Sequence, residues 1–272
     1  MKKLSILFIL VSIITVLTAC GSQAENKIVV GATNVPHAEI LEFAKPILKE
    51  KGYELEIVEF QDYVLPNLNL TEGELDANYF QHIPYLELYN KEHGTNIVNA
   101  GGIHIEPIGI YSPDASIDSL DDIENGSIII ISKSVSDHPR VLRLLNSNGL
   151  ISLPDGVNFD PIDIDELEEN TSQNPNNLTF KQVDAGYLVT AYNNDEGAAV
   201  LINTNFALDG GLNPLEDAIA IEGADSPYVN VVAVNDGDQN TEKIKALVDV
   251  LQSEEVKQFI IDTYDGAVVA VN

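Results

Sequence analysis

Short β-branched runs alternate with helical segments along most of this chain, and that order restricts the fold more than any other feature. IVVGA at 28–32 leads into TNVPHAEILEFAKPILKEKG, where Ile40, Ala44, Ile47 and Leu48 form one helical stripe. Thr33 or Asn34 can cap that helix, Pro36 sits where a missing N–H is harmless, and Gly52 follows the last turn. Pro46 lies inside the stripe and is expected to kink the helix or divide it. YELEIVEF alternates as a strand, VLPNLNLTEGE suggests a short helix and DANYFQ a short strand, and IPYLELYNKEHG restarts a helix with Pro84 early and Gly94 at its end. Further strands are expected at NIVNA, SIIIIS, LTFKQV and AAVLIN, and further helices at SDHPRVLRLLNSNG, AGYLVTAYNN and 241–262. Such alternation implies an α/β fold with mostly parallel sheets flanked by helices.

Two long apolar runs break the rule, IHIEPIGIY at 103–111 and SPYVNVVAV at 226–234, because neither has a helix of its own. They read as paired strands crossing between two lobes. Lobe 1 then comprises residues 28–108 with 232–272, and lobe 2 residues 109–231. In sheets of this kind ligands sit beyond the carboxyl ends of the strands and between lobes.

The first nineteen residues, MKKLSILFILVSIITVLTA, carry two lysines ahead of an apolar run too short for a confident membrane span, and read as a secretory signal peptide. They end in LTAC, which resembles the lipobox of bacterial lipoproteins, with Cys20 as the acylated new N-terminus and residues 20–27 as a polar tether. Cys20 is the only cysteine, so an intramolecular disulfide is excluded. The formal charge is −29, and loss of Lys2 and Lys3 with the signal takes it to −31. A field of that sign repels nucleic acid and anionic lipid headgroups. The acids are scattered among abundant Ile, Leu and Val, as on a folded surface.

Several polar and aromatic residues fit a scaffold poorly. Arg140 follows SDHP, with Ser136 or Asp137 as the cap, so its cation lies in a first helical turn, where the helix dipole disfavours it. A carboxylate or phosphate bound there would reverse that, since free N–H groups and a guanidinium fork both suit an anion. The plain alternative is a solvated surface arginine. Asn203 closes AAVLIN and Asn230 interrupts YVNVVAV, and a buried asparagine must be satisfied by backbone or by ligand. Tyr63, Tyr79, Phe80 and His82 fall just past two strands at one sheet edge. Such rings are core residues or the walls of an apolar slot, and a thioether gains from lying against ring edges.

GATNVPHAEILE, FQDYVLPN, LDANYFQHIPYL, PIGIYS, LINTNFALDGGLNP and DSPYVNVV, taken together and in this order, resemble the methionine-binding lipoproteins, the NlpA/MetQ-like substrate-binding components of methionine ABC importers. The resemblance implies a two-lobed periplasmic-binding-protein-like fold of type II, hinged at two crossing strands and tethered by lipid, that closes on L-methionine and presents it to a permease and its ATPase. It implies that Tyr63 and Phe80 flank the thioether, Arg140 grips the carboxylate, Asn203 and Asn230 bind the polar ends and His82 adds a polar contact. The expected location is the outer face of a cell membrane, a Gram-positive surface being preferred.

The chain departs from the family at SKSVSDHPR, 132–140, where Asp137 and Pro139 replace the usual Asn and Gly, and at GYLVT, 186–190, which lacks the family's arginine. Relatives of this kind also take D-methionine, a methionine-containing dipeptide or another apolar amino acid, so those ligands stay open. A zinc or manganese lipoprotein is a further alternative, from His37, His82, His104 and His138, although they form no local ligand motif. No cofactor is expected. Neither is an enzyme, since GxSxG, HExxH and a phosphate-binding glycine loop are all missing.

Overall fold

In this computed structural model, residues 26–154, 156, 162–223 and 226–271 are described. The expected signal peptide, the lipidated Cys20 and most of the tether therefore lie outside the described residues. The chain runs β1 (Lys27–Thr33), a π-helical turn (Asn34–Ala38), α1 (Glu39–Glu50), β2 (Glu54–Phe60), α2 (Leu65–Thr71), β3 (Ala77–His82), α3 (Ile83–His93) and β4 (Ile97–Ile105). It continues with β5 (Gly109–Tyr111), β6 (Ile128–Ser132), a 3-10 turn (Val135–Asp137), α4 (His138–Ser147), α5 (Ile164–Glu169), β7 (Thr179–Val183), α6 (Leu188–Asn193), β8 (Ala199–Ile202), α7 (Thr204–Asp209) and β9 (Ala220–Ile221). It ends with β10 (Val229–Asn235), α8 (Glu242–Leu251), α9 (Glu254–Tyr264) and β11 (Val269–Ala270).

Two mixed sheets result. The six-stranded one has the order β11-β4-β10-β3-β1-β2, with β1 parallel to β2 and β3 and with β10 antiparallel to β3 and β4. The five-stranded one has the order β7-β6-β8-β5-β9, with β6 parallel to β7 and β8 and with β5 antiparallel to β8 and β9. Each buries its own core. Ile28, Val30 and Val232 meet Ile40, Leu41, Leu247 and Ile260 in the first, and Ile129, Ile131 and Leu201 meet Val141, Leu145 and Phe180 in the second. The chain passes between sheets after Ile105 and again between Ile221 and Val229, and the Glu222 N–H donates to the Ile108 carbonyl.

Five local expectations need revision. NIVNA and the start of IHIEPIGIY form one nine-residue strand, β4, that runs through Gly101 and Gly102. A Cβ on Gly101 would stand 2.5 Å from Val248 Cγ1, so the glycine lets α8 approach the sheet. The run IHIEPIGIY is itself broken at Glu106–Ile108, where Pro107 cannot donate to a ladder. Pro46 does not divide α1, because Pro46 and Glu42, whose carbonyl loses its helical partner, both face solvent. The last helix is two helices, since Ser253 adopts an extended conformation and its Oγ accepts from the Val256 N–H as the cap of α9. β10 pairs in the first sheet from Val229 onward, so the sheet boundary precedes Val229 instead of falling at 231/232.

Candidate ligand-binding site

Between the sheets lies a cavity lined by Tyr63, Phe80, Gln81, His82 and Tyr85 from one side and by Asp137, Arg140, Asn203, Thr204 and Asn205 from the other, with Glu106 and Asn230 at the crossing. All six residues expected from the sequence, Tyr63, Phe80, His82, Arg140, Asn203 and Asn230, line it. The halves touch directly around it: Tyr63 Oη donates to Asn205 Oδ1 at 2.6 Å, His82 Nε2 meets Asp137 Oδ1 at 3.1 Å, and Asn34 Nδ2 donates to Asp209 Oδ1 at 2.6 Å.

The aromatic wall depends on an irregular strand. β10 pairs Val231 with Gln81 and Val232 with Tyr79, leaving Phe80 as an extra residue in β3. A bulge of this kind re-aims side chains. Gln81 consequently shares a face with Asn78 and donates to Asn78 Oδ1 at 2.9 Å, and both join the buried Asn67. Phe80 points into the cavity, 6.0 Å from the Tyr63 ring, while Tyr79 turns into the first core and its Oη meets His104 Nδ1 at 2.5 Å. Tyr63 is fixed from behind by Phe206, at 5.0 Å, and by Tyr85, whose Oη donates to the Tyr63 carbonyl at 2.7 Å. Tyr85 thus belongs to the cavity wall and not, as α3 periodicity suggests, only to the core; Leu88 is half-buried and Tyr89 buried.

The polar wall is built around Arg140, in the first turn of α4 and only 3% exposed. Its Nε and Nη2 donate to Glu222 Oε2 at 3.1 and 2.5 Å, Nη2 also donates to the Glu106 carbonyl at 2.6 Å, and Tyr228 lies 4.6 Å beneath the guanidinium. These bonds use one edge of the fork. Nη1 is left towards Asp137, 3.9 Å from its Oδ1. Asp137 occupies the N-cap position of α4 but makes no cap bond, contrary to expectation. Its carboxylate is taken by His82 and by Asn203 Nδ2, at 3.2 Å. Burial alone would raise the Asp137 carboxyl, but the hydrogen bond from His82, the Arg140 charge and the hydrogen bond from Asn203 hold it below the usual carboxylate range.

His82 is primarily the cap of α3, its Nδ1 accepting from the Tyr85 N–H at 3.1 Å. Asn203 sits at the N-cap of α7 without capping it, and its Oδ1 is a buried acceptor with no protein partner. An acceptor stranded in this way costs about 1–3 kcal/mol until something donates to it. Asn230 Oδ1 lies 3.3 Å from His37 Nε2, which ties the cavity to a buried network below it.

That network contains two of the four histidines considered as metal ligands. His37, His104 and Glu106 have donor atoms within 4.8 Å of one another, whereas His82 caps α3 and His138 Nε2 bonds the Ser132 carbonyl at 3.0 Å. One proton placement satisfies the trio without an ion. Thr33 and Tyr79 hydroxyls donate to the Nδ1 atoms of His37 and His104, the His104 Nε2–H donates to Glu106 Oε1 at 2.7 Å, the His37 Nε2–H donates to Asn230 Oδ1 with Glu106 Oε1 3.2 Å away, and the Asn205 N–H donates to Glu106 Oε2 at 3.0 Å. Burial lowers His37 to about 4 and His104 to about 3, so both are neutral, and pushes the Glu106 carboxyl up against the pull of Arg140 and the Asn205 N–H. The trio is therefore a structural clasp at the first crossing.

Glu106, Asp137 and Glu222 are the site residues that sequence reasoning undervalued. Glu106 had a signal, a charge inside an otherwise apolar crossing run; Glu222 had none.

Two α/β halves joined by two crossings, closed over a cavity with one aromatic and one charged wall, define the class of two-lobed, periplasmic-binding-protein-like receptors of type II. The chain belongs to the NlpA lipoprotein family, whose model matches residues 28–272. It is 44% identical over 279 residues to the methionine-binding lipoprotein MetQ of Bacillus subtilis, covering 100% of both chains. Among solved structures, a nutrient binding protein from Burkholderia cenocepacia bound to methionine is 37% identical with a TM-score of 0.83, covering 90% of this chain and 100% of that one. A pheromone cOB1 precursor/lipoprotein from Enterococcus faecalis is 48% identical with a TM-score of 0.84, again covering 90% and 100%.

Proposed function

We propose that this chain is a lipid-anchored, extracytoplasmic receptor that closes on L-methionine or a near relative and delivers it to the permease and ATPase of an ABC importer. The observation that carries the reading is the division of one closed cavity into an aromatic wall, Tyr63 and Phe80, and a polar wall, Arg140 and the unpartnered Asn203 Oδ1. A thioether suits the rings, and an amino acid's carboxylate and ammonium suit the other side. Relatives named or solved as methionine binders support the same ligand class. Among the described residues no helix is long and apolar enough to cross a membrane; the lipobox-like LTAC supports attachment through an acylated Cys20.

In this reading lobe 1 holds the side chain first and closure brings the Arg140 Nη1 edge onto the carboxylate, with 106–108 and 226–228 in the hinge and Asn230 beside both hinge and ligand. Isothermal titration with L-methionine should give binding that Arg140→Ala weakens by about 3–5 kcal/mol, because a buried carboxylate loses its partner. Equal affinity in Arg140→Ala would mean that the site is wrongly assigned. A thermal-shift panel of the twenty amino acids, D-methionine, Gly-Met and zinc decides the ligand class, and a shift with zinc alone would overturn the amino-acid reading.

A further inference from the structure

We infer that Asp137 makes this site demand a free α-ammonium group, so that the receptor accepts zwitterionic thioether amino acids and refuses the matching thioether acids that lack the amine. The inference rests on the methionine-type reading of the cavity and specifies which part of the ligand is selected.

Among the described residues, Arg140 is the only Lys or Arg lining the cavity, and its Nε and Nη2 are already committed to Glu222. His82 brings no compensating charge, because its Nδ1 accepts the Tyr85 N–H and so carries no proton, leaving Nε2–H to donate to Asp137. The cation is thus faced by Glu222 on one edge and Asp137 on the other, and a ligand that arrives with only a carboxylate adds a further negative charge to a desolvated site.

Of these acids, Asp137 is the one placed to meet a ligand. Glu222 does not line the cavity, and Glu106 lines it with one carboxylate oxygen held by His104 and the other by the Asn205 N–H. Asp137 is 1% exposed, accepts one bond on each oxygen and retains lone pairs on both. Next to it stands the unpartnered Asn203 Oδ1, on a residue 7% exposed whose own Nδ2 bonds Asp137. Two acceptors side by side, one of them charged, match an ammonium with three donors. A hydroxyl has one donor and leaves an acceptor unmet.

The test uses calorimetric titration of the wild type and of Asp137→Asn with three probes: L-methionine, L-methioninamide, which keeps the amine and loses the carboxylate, and 2-hydroxy-4-(methylthio)butanoate, which does the reverse. The wild type should prefer L-methionine over the hydroxy acid by roughly 100-fold or more, and Asp137→Asn should shrink that preference by about tenfold, the worth of one charge-assisted hydrogen bond. The same variant should weaken methioninamide more than the hydroxy acid. Each ratio is taken within one protein, so a loss of folded fraction cancels, and Asp137→Ser repeats the readout if the first variant does not fold. An unchanged ratio, or an equal loss for all three probes, would overturn the inference and leave Asp137 as an interlobe clasp through His82. If wild type fails to bind L-methionine, the reading of the site falls first and this inference with it.

Discussion

Lowering the pH from 7 to 5 should destabilise the folded chain by up to about 4 kcal/mol through two imidazoles alone, and the amount follows from where they are buried. Burial lowers His37 from 6.5 to about 4 and His104 from 6.5 to about 3. Between roughly pH 6.5 and 4 the unfolded chain holds a proton on each ring and the folded chain does not, so stability rises with pH by about 1.4 kcal/mol per unit for each histidine. It is therefore lost as pH falls below the unfolded value, about 2 kcal/mol per ring by pH 5. Glu106 opposes this. Burial raises its carboxyl, so the folded state takes up that proton before the unfolded state does, and the net uptake on unfolding lies between about one proton and two. Asp137, held below its ordinary value, contributes stability that is lost only at lower pH, as its folded pKa is passed. Urea unfolding followed by circular dichroism at half-unit steps from pH 5 to 7 gives the slope directly. His104→Gln should cost stability at pH 7 and flatten the slope by about 1.4 kcal/mol per pH unit. A slope unchanged by that substitution would refute the neutral, clasped histidine pair.

Phe80→Ala should weaken L-methionine binding by about 1–3 kcal/mol while the carboxylate contact persists, so a competition series with norleucine and alanine should lose its preference for the long side chain. Asn203→Ala removes the unpartnered acceptor and should cost roughly tenfold in affinity with little loss of thermal stability; a large fall in melting temperature with unchanged affinity would count against its assigned role. Gly31→Ala should destabilise by about 1–3 kcal/mol, because the added Cβ meets Leu75 Cδ1 at 2.5 Å and Phe60 Cε2 at 2.9 Å, and chemical denaturation would detect it.

The α/β alternation was legible because each helix carries its own stripe and stop signal, as in Ile40 to Leu48 followed by Gly52. The cavity was legible where residue types conflict with a scaffold: an arginine in a first helical turn, an asparagine inside an apolar strand, adjacent aromatics at a strand end. Register was not. The bulge that aims Phe80 and turns Tyr79 away comes from pairing across β10, which local periodicity does not encode. The acids were hidden for another reason. With 43 Asp and Glu residues in the chain, the buried Asp137 and Glu222 look like the many exposed ones until the fold sets Arg140 between them. Helix ends that depend on one side chain, such as the break at Ser253, were missed because the apolar stripe continues across them.

Whether one closed cavity reads both ends of a thioether amino acid is tested by a crystal structure of the protein with L-methionine. The thioether should lie between Tyr63 and Phe80, the carboxylate on Arg140 Nη1 with Glu222 still holding the opposite edge, and the ammonium against Asp137 and Asn203 Oδ1. A ligand bound with its carboxylate away from Arg140, or at any place other than this cavity, would contradict it.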